Sequence, residues 1–101
     1  MKGQMKITSG FKLEDGVRVF EPRYCRRCSA SLTKLLEDKK EVEISALGSS
    51  AIANVMKTIS YVSKDFEKKD VELKLDAPIY KRVESEDGTE VVVFTITVYI
   101  V

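Results

Sequence analysis

Gly48-Ser49-Ser50 stands between an apolar run, Glu41–Leu47, and a long segment with helical periodicity. A glycine-serine turn that opens a helix leaves the first backbone N–H groups without intrahelical partners, and the positive end of the helix dipole points the same way. Phosphate is the ligand such a turn suits, and the two hydroxyls add donors, with serine expected to cap the helix. A second group of the same chemistry lies upstream at Arg23, Arg26, Arg27 and Lys34. Wound at about 100° per residue, Arg23, Arg27 and Lys34 fall on one side of a helix and Arg26 flanks them. No Asp or Glu occurs between Pro22 and Leu36. An ordinary surface helix interleaves acids with bases, so a helix face of cations alone suits contact with phosphates.

Cys25-Arg26-Arg27-Cys28 invites a zinc or redox reading. A structural zinc takes four ligands, and a chain with no histidine and no second cysteine pair cannot close such a site by itself. A redox Cys-x-x-Cys normally follows a strand in a thioredoxin-like arrangement. Here both thiols share a helical stripe with Leu32 and Leu36, so packing in the core is their expected role. The missing histidine also removes the commonest general base. No serine sits in a nucleophile elbow, and no pair of carboxylates converges. The chain reads as a non-enzyme without cofactor or metal. Tyr61, Tyr80 and Tyr99 are of a type that stacks on bases, but packing is the expected role for each.

These groups must be positioned by one domain, since 101 residues supply a single core. With 44% hydrophobic and 33% charged residues the chain is globular and not disordered. Its net charge of +1 is unevenly divided. Residues 1–40 carry ten Lys/Arg against five Asp/Glu, and residues 41–101 carry seven against eleven. A basic half on a balanced chain points to a local anion-binding face. No apolar run approaches the roughly 20 residues of a membrane span, so no membrane partner is expected. The first residues lack the apolar stretch of a secretory signal. A cytoplasmic location with reduced thiols is expected, with a nuclear one as the alternative for a eukaryotic chain.

Residues 1–15 read as an extension in which Met5–Thr8 forms at most a short edge strand, and residues 16–101 read as the domain. Asp15-Gly16 marks a turn before a strand at Val17–Phe20. Pro22 suits the first turn of a helix carrying Cys25, Cys28, Leu32, Leu35 and Leu36. A strand follows over Glu41–Leu47. A second helix from about Ser50 to Phe66 then buries Ile52, Val55, Met56, Ile59, Val62 and Phe66. Val71–Leu75 alternates as a half-buried strand should, continuing to about Val83 with a break or edge position at Pro78. Ser85–Thr89 forms a hairpin tip, and the last strand begins at Val91. The order β-α-β-α-β-β predicts a two-layer α/β sandwich, both helices lying on one face of a four-stranded mixed sheet.

In this order the chain resembles the Alba family, most closely its eukaryotic branch, over residues Val17–Ile100. The resemblance is carried by Val17-Arg18-Val19 leading to Arg23, by Leu35-Leu36 at the end of the first helix, and by Glu41–Gly48 followed by Ala51-Ile52. It implies a protein that binds DNA or RNA without strong sequence preference. Arg23 and the turn at Gly48, Ser49 and Ser50 would face the nucleic acid. It also implies a homodimer, or a heterodimer with another Alba-like protein, and for some members a place in ribonucleoprotein particles. The chain departs from the family pattern in three respects. Pro22-Arg23 replaces two adjacent basic residues, with Arg26 and Arg27 one turn later. Ser49-Ser50 is one residue longer than usual and lacks the archaeal arginine. The long hairpin, basic in archaeal members, here carries Glu84, Glu86, Asp87 and Glu90, a charge that repels a phosphate backbone.

Overall fold

A computed structural model describes residues 2–100. The strands are β1 (Gly3–Ile7), β2 (Phe11–Glu14), β3 (Val17–Phe20), β4 (Glu41–Leu47), β5 (Leu73–Leu75), β6 (Ile79–Glu84) and β7 (Glu90–Ile100). The helices are α1 (Tyr24–Lys39) and α2 (Ser49–Glu67).

The main sheet has five strands in the order β1-β4-β7-β5, with β6 also pairing β7. Parallel pairing of β1 with β4 sets Ile7 opposite Ala46, and antiparallel pairing of β4 with β7 sets Leu47 opposite Val93. β5 and β6 occupy successive stretches of the same β7 edge, Leu75 opposite Val98 and Ile79 opposite Thr95. Between them the chain steps away at Asp76-Ala77-Pro78, where the Asp76 N–H still donates to the Thr97 carbonyl. That is the break expected at Pro78, which cannot donate to a ladder.

Strand alternation decides which face is covered. Val42, Ile44 and Ala46 of β4 and Phe94, Ile96 and Val98 of β7 point inward and are buried. Against them pack Cys28, Leu32 and Leu36 of α1 and Ala51, Val55, Ile59, Val62 and Phe66 of α2. Both helices therefore cover one face, and the other shows half-exposed Glu43, Ser45, Thr95 and Thr97. This is the two-layer α/β sandwich expected from the sequence.

The structure corrects several details. Val17–Phe20 does not lie in the main sheet: β3 pairs only with β2, as a separate two-stranded ribbon. The first strand of the sandwich is β1, a short edge strand as expected for this stretch but placed at Gly3–Ile7, and its buried Ile7 belongs to the core. The reason is local: Phe11-Lys12-Leu13-Glu14 alternates too, and Asp15 (φ 50°) and Gly16 (φ 78°) form the two-residue turn of positive φ that closes a hairpin. Residues 3–23 therefore contribute one sheet strand plus an excursion. The main sheet described has five strands, not four, because the break at Pro78 divides the expected third strand into β5 and β6. α1 begins at Tyr24, with Arg23 as its N-cap, two residues beyond the start expected at Pro22. Met56 is 51% exposed, not buried. The stripe of α2 turns instead through Ala51, Asn54 and Thr58, small or polar residues that a count of apolar positions misses.

Candidate nucleic-acid interface

α2 follows the C-terminal end of β4 directly, α1 follows that of β1 after the β2–β3 excursion, and β1 and β4 are parallel neighbours. The N-termini of α1 and α2 therefore lie at the same end of the sandwich. The same pairing rules place the β6–β7 hairpin there, since Glu90–Val92 of β7 run past the end of β4. The β2–β3 ribbon, inserted between β1 and α1, lies at that end as well.

A polar clasp fixes how the two helix starts meet. Asn54, 3% exposed, donates from Nδ2 to the Thr8 carbonyl (2.9 Å) and accepts from the Cys25 thiol (3.5 Å). Thr8 in turn donates its N–H to the Tyr24 hydroxyl (2.6 Å), with its own hydroxyl 2.9 Å from the same oxygen. The end of β1, the first turn of α1 and the second turn of α2 are thus joined through three side chains. Burial raises the Tyr24 phenol above its usual range, and burial likewise raises the Cys28 thiol. Both cysteines are free and buried, which is the packing role expected for them.

Neither helix start is capped by a side chain, and neither carries an acid in its first turn. At α2 the N-cap is Gly48 itself (φ 87°, ψ 164°), and no cap bond comes from the serine expected to provide one. Ser49 and Ser50 are the first two helical residues and are exposed. The Gly48 N–H is taken by the Val92 carbonyl (3.2 Å), which ties the turn to β7. A Cβ built on Gly48 would meet nothing within 4 Å, so the turn is open to a ligand. Positive φ here is a conformation that side chains other than glycine resist.

The four cations of α1 do not act as one face. Arg23 is exposed at the helix start, at the same end as Gly48–Ser50. Arg27 is paired with Glu21, so the acid missing from the helix is supplied by the residue just before Pro22. Arg26 turns toward α2, its guanidinium 4.2 Å from the centroid of the Tyr61 ring, in a groove also lined by Lys64, Asp65 and Lys68. Lys34 is exposed beside Glu37 and Asp38, about 16 Å along the helix axis from Arg23 at 1.5 Å per residue. The structure places Arg23, Gly48, Ser49 and Ser50 at the same end of the sandwich; it separates Lys34, turns Arg26 toward Tyr61 and pairs Arg27 with Glu21.

The hairpin tip is negative. Glu84 and Glu90 stand directly opposite each other, and Glu86 and Asp87 lie between them. Hydrogen bonds from the Ser85 hydroxyl and the Thr89 N–H hold the Asp87 carboxyl down at about 2. Spacing alone did not mark out the aromatics of the β2–β3 ribbon, Phe11 and Phe20, or the stacking of Arg18 on Phe11. Their signal was the alternation on both sides of Asp15-Gly16.

A two-layer sandwich with both helices on one face of this mixed sheet has the Alba-like fold. Among solved structures the chain is similar to Alba from Thermoplasma volcanium, with a TM-score of 0.52 and 16% identity over 93% of this chain and 98% of that one. No protein-family model matches the sequence, and no curated protein matches it.

Proposed function

We propose that this protein binds nucleic acid without catalysis, seating backbone phosphates at the end of the sandwich where both helices begin. The observation that carries the reading is the presence at that end of two helix N-termini, uncapped by side chains and without an acid in their first turns, with Arg23 and the open Gly48-Ser49-Ser50 turn. Unpaired N–H groups, dipole ends and a cation all favour the same ligand charge. RNA is the preferred ligand over DNA, because a straight duplex laid along the β6–β7 hairpin would meet Glu84, Glu86, Asp87 and Glu90. A flexible strand can avoid that tip. The working unit is a dimer: β1 and the β5–β6 side leave open sheet edges, and Ile79, Tyr80 and Val83 of β6 are exposed.

The acidic tip favours one alternative, an assembly subunit of a ribonucleoprotein acting chiefly through contacts with another Alba-like chain. A gel-shift series with single-stranded RNA, duplex RNA and duplex DNA separates the two. Binding in the order single-stranded RNA above duplex DNA supports the proposal. No shift with any of the three, from a protein that forms a dimer by light scattering, supports the alternative.

A further inference from the structure

The β2–β3 ribbon has a use that phosphate binding alone does not require. Its register pairs Phe11 with Phe20 and Leu13 with Arg18. Directly opposed residues share a face of a ribbon, so these four side chains form one side, and Lys12, Glu14, Val17 and Val19 form the other. The first side carries two aromatic rings, a cation and no acid. The ring centroids of Phe11 and Phe20 are 5.5 Å apart at 68°, and the Arg18 guanidinium stacks 4.5 Å from the Phe11 centroid. Leu13 is 72% exposed and Phe11 43%, and no residue of the ribbon belongs to the core cluster.

The ledge is nevertheless held in place. The Glu21 N–H donates to the Gly10 carbonyl (2.9 Å). The rings of Phe20 and Tyr24 close on Gly10 so tightly that an added Cβ would lie 2.9 Å from each. Tyr24 is the first residue of α1 and belongs to the clasp with Thr8. The ledge therefore has a fixed position relative to the α1 N-terminus and Arg23.

We propose that this face is a base-stacking platform for single-stranded nucleic acid, on which unpaired bases lie against Phe11 and the Arg18 guanidinium while the backbone passes to the helix N-termini. It rests on the nucleic-acid reading above and adds to it the part of the ligand that is recognised. Aromatic rings and guanidinium planes stack on any base, and a duplex, whose bases are already stacked, cannot use them. The cation on the ledge and the absence of acids on that side fit a phosphate-bearing strand better than an apolar partner.

The test measures fluorescence anisotropy with three labelled probes: a mixed-sequence single strand, the same strand with stable abasic sites, and its duplex. Phe11→Leu keeps an apolar side chain on the ribbon but removes the ring. Phe20 is left alone because it packs on Gly10. The intact protein is expected to prefer the base-bearing strand over the abasic one by about fivefold or more, the effect of stacking one base. Phe11→Leu should lose that preference while keeping its affinity for the abasic strand and for the duplex. Arg18→Lys, which keeps the charge and loses the plane, should reduce the preference in the same direction. Equal affinity of the intact protein for base-bearing and abasic strands, or a preference unchanged in Phe11→Leu, overturns the platform while leaving phosphate binding intact. Absence of salt-dependent binding to every probe overturns both.

Discussion

Asn54→Ala tests whether the clasp holds the two helix starts together. The substitution removes the donor to the Thr8 carbonyl and the acceptor of the Cys25 thiol. Losing a part-buried hydrogen bond with one partner left behind costs about 1–2 kcal/mol. Emptying the volume of a carboxamide at a position 3% exposed adds about 1 kcal/mol. The expected loss is about 2–3 kcal/mol, which for a domain of this size lowers Tm by about 10–20 °C. Urea denaturation followed by circular dichroism measures it, with an unchanged slope showing that the unfolded state is not altered. Tyr24→Phe removes the other partner of Thr8. Because both side chains hold the same residue, the double variant should lose measurably more or less than the two single losses together. A loss below about 0.5 kcal/mol for Asn54→Ala, set against the usual 1–3 kcal/mol for leaving a buried group unpaired, would refute the clasp. Strict additivity would do the same.

Thr58 is fully buried in α2 and its hydroxyl has no partner; Thr58→Val, nearly isosteric, should stabilise the fold by about 1 kcal/mol by removing an unmet hydrogen-bonding group, seen as a rise in Tm. The thiols of Cys25 and Cys28 should react slowly with a thiol reagent until denaturant is added, because both are buried and burial raises the Cys28 pKa, leaving little thiolate. Asp87 is depressed to about 2. A lowered folded-state value means its contribution is present above the ordinary value of 3.8 and is lost only as pH falls through about 2. The Asp87 carboxyl should therefore keep its NMR chemical shift down to about pH 3, and Glu86→Gln with Asp87→Asn, which removes repulsion, should strengthen duplex binding.

Much of the fold was legible because its periods are strong. Glu41–Leu47 alternates, and the following helix repeats its apolar residues over some four turns, so no competing element fits either stretch. Gly48 was legible for the same reason, since only a turn connects them. The first 23 residues were legible only in part: the Asp15-Gly16 turn and the strand at Val17–Phe20 stand where expected, but their pairing does not follow from the sequence. Gly3–Ile7 has a polar surface and two apolar inward positions, and what makes it a sheet strand is parallel pairing with β4, a contact that sequence spacing does not encode. With β1 in that place, Val17–Phe20 pairs across the Asp15-Gly16 turn with Phe11–Glu14 as a ribbon of its own. At the candidate site, a helical wheel placed Arg23, Arg27 and Lys34 on one side, but a wheel cannot show that Glu21 reaches Arg27 or that Arg26 finds Tyr61 across the groove. Those are contacts between elements, decided by how the helices pack.

If phosphates are held at the end of the sandwich where α1 and α2 begin, the salt dependence of RNA binding must change when Arg23 is removed. Each neutralised phosphate releases about 0.7–0.9 of a counterion, so a dimer engaging about four to six phosphates gives a slope of log K against log salt of about −3 to −5. Arg23→Glu places an acid at the N-cap of α1, where the helix dipole favours it, so the fold should hold and only the contact should be lost. The expected result is a loss of affinity and a slope shallower by about 0.7–0.9 for each Arg23 removed, two in a dimer. An unchanged affinity and slope in a folded Arg23→Glu protein would contradict the account and place the phosphate contacts elsewhere on the surface.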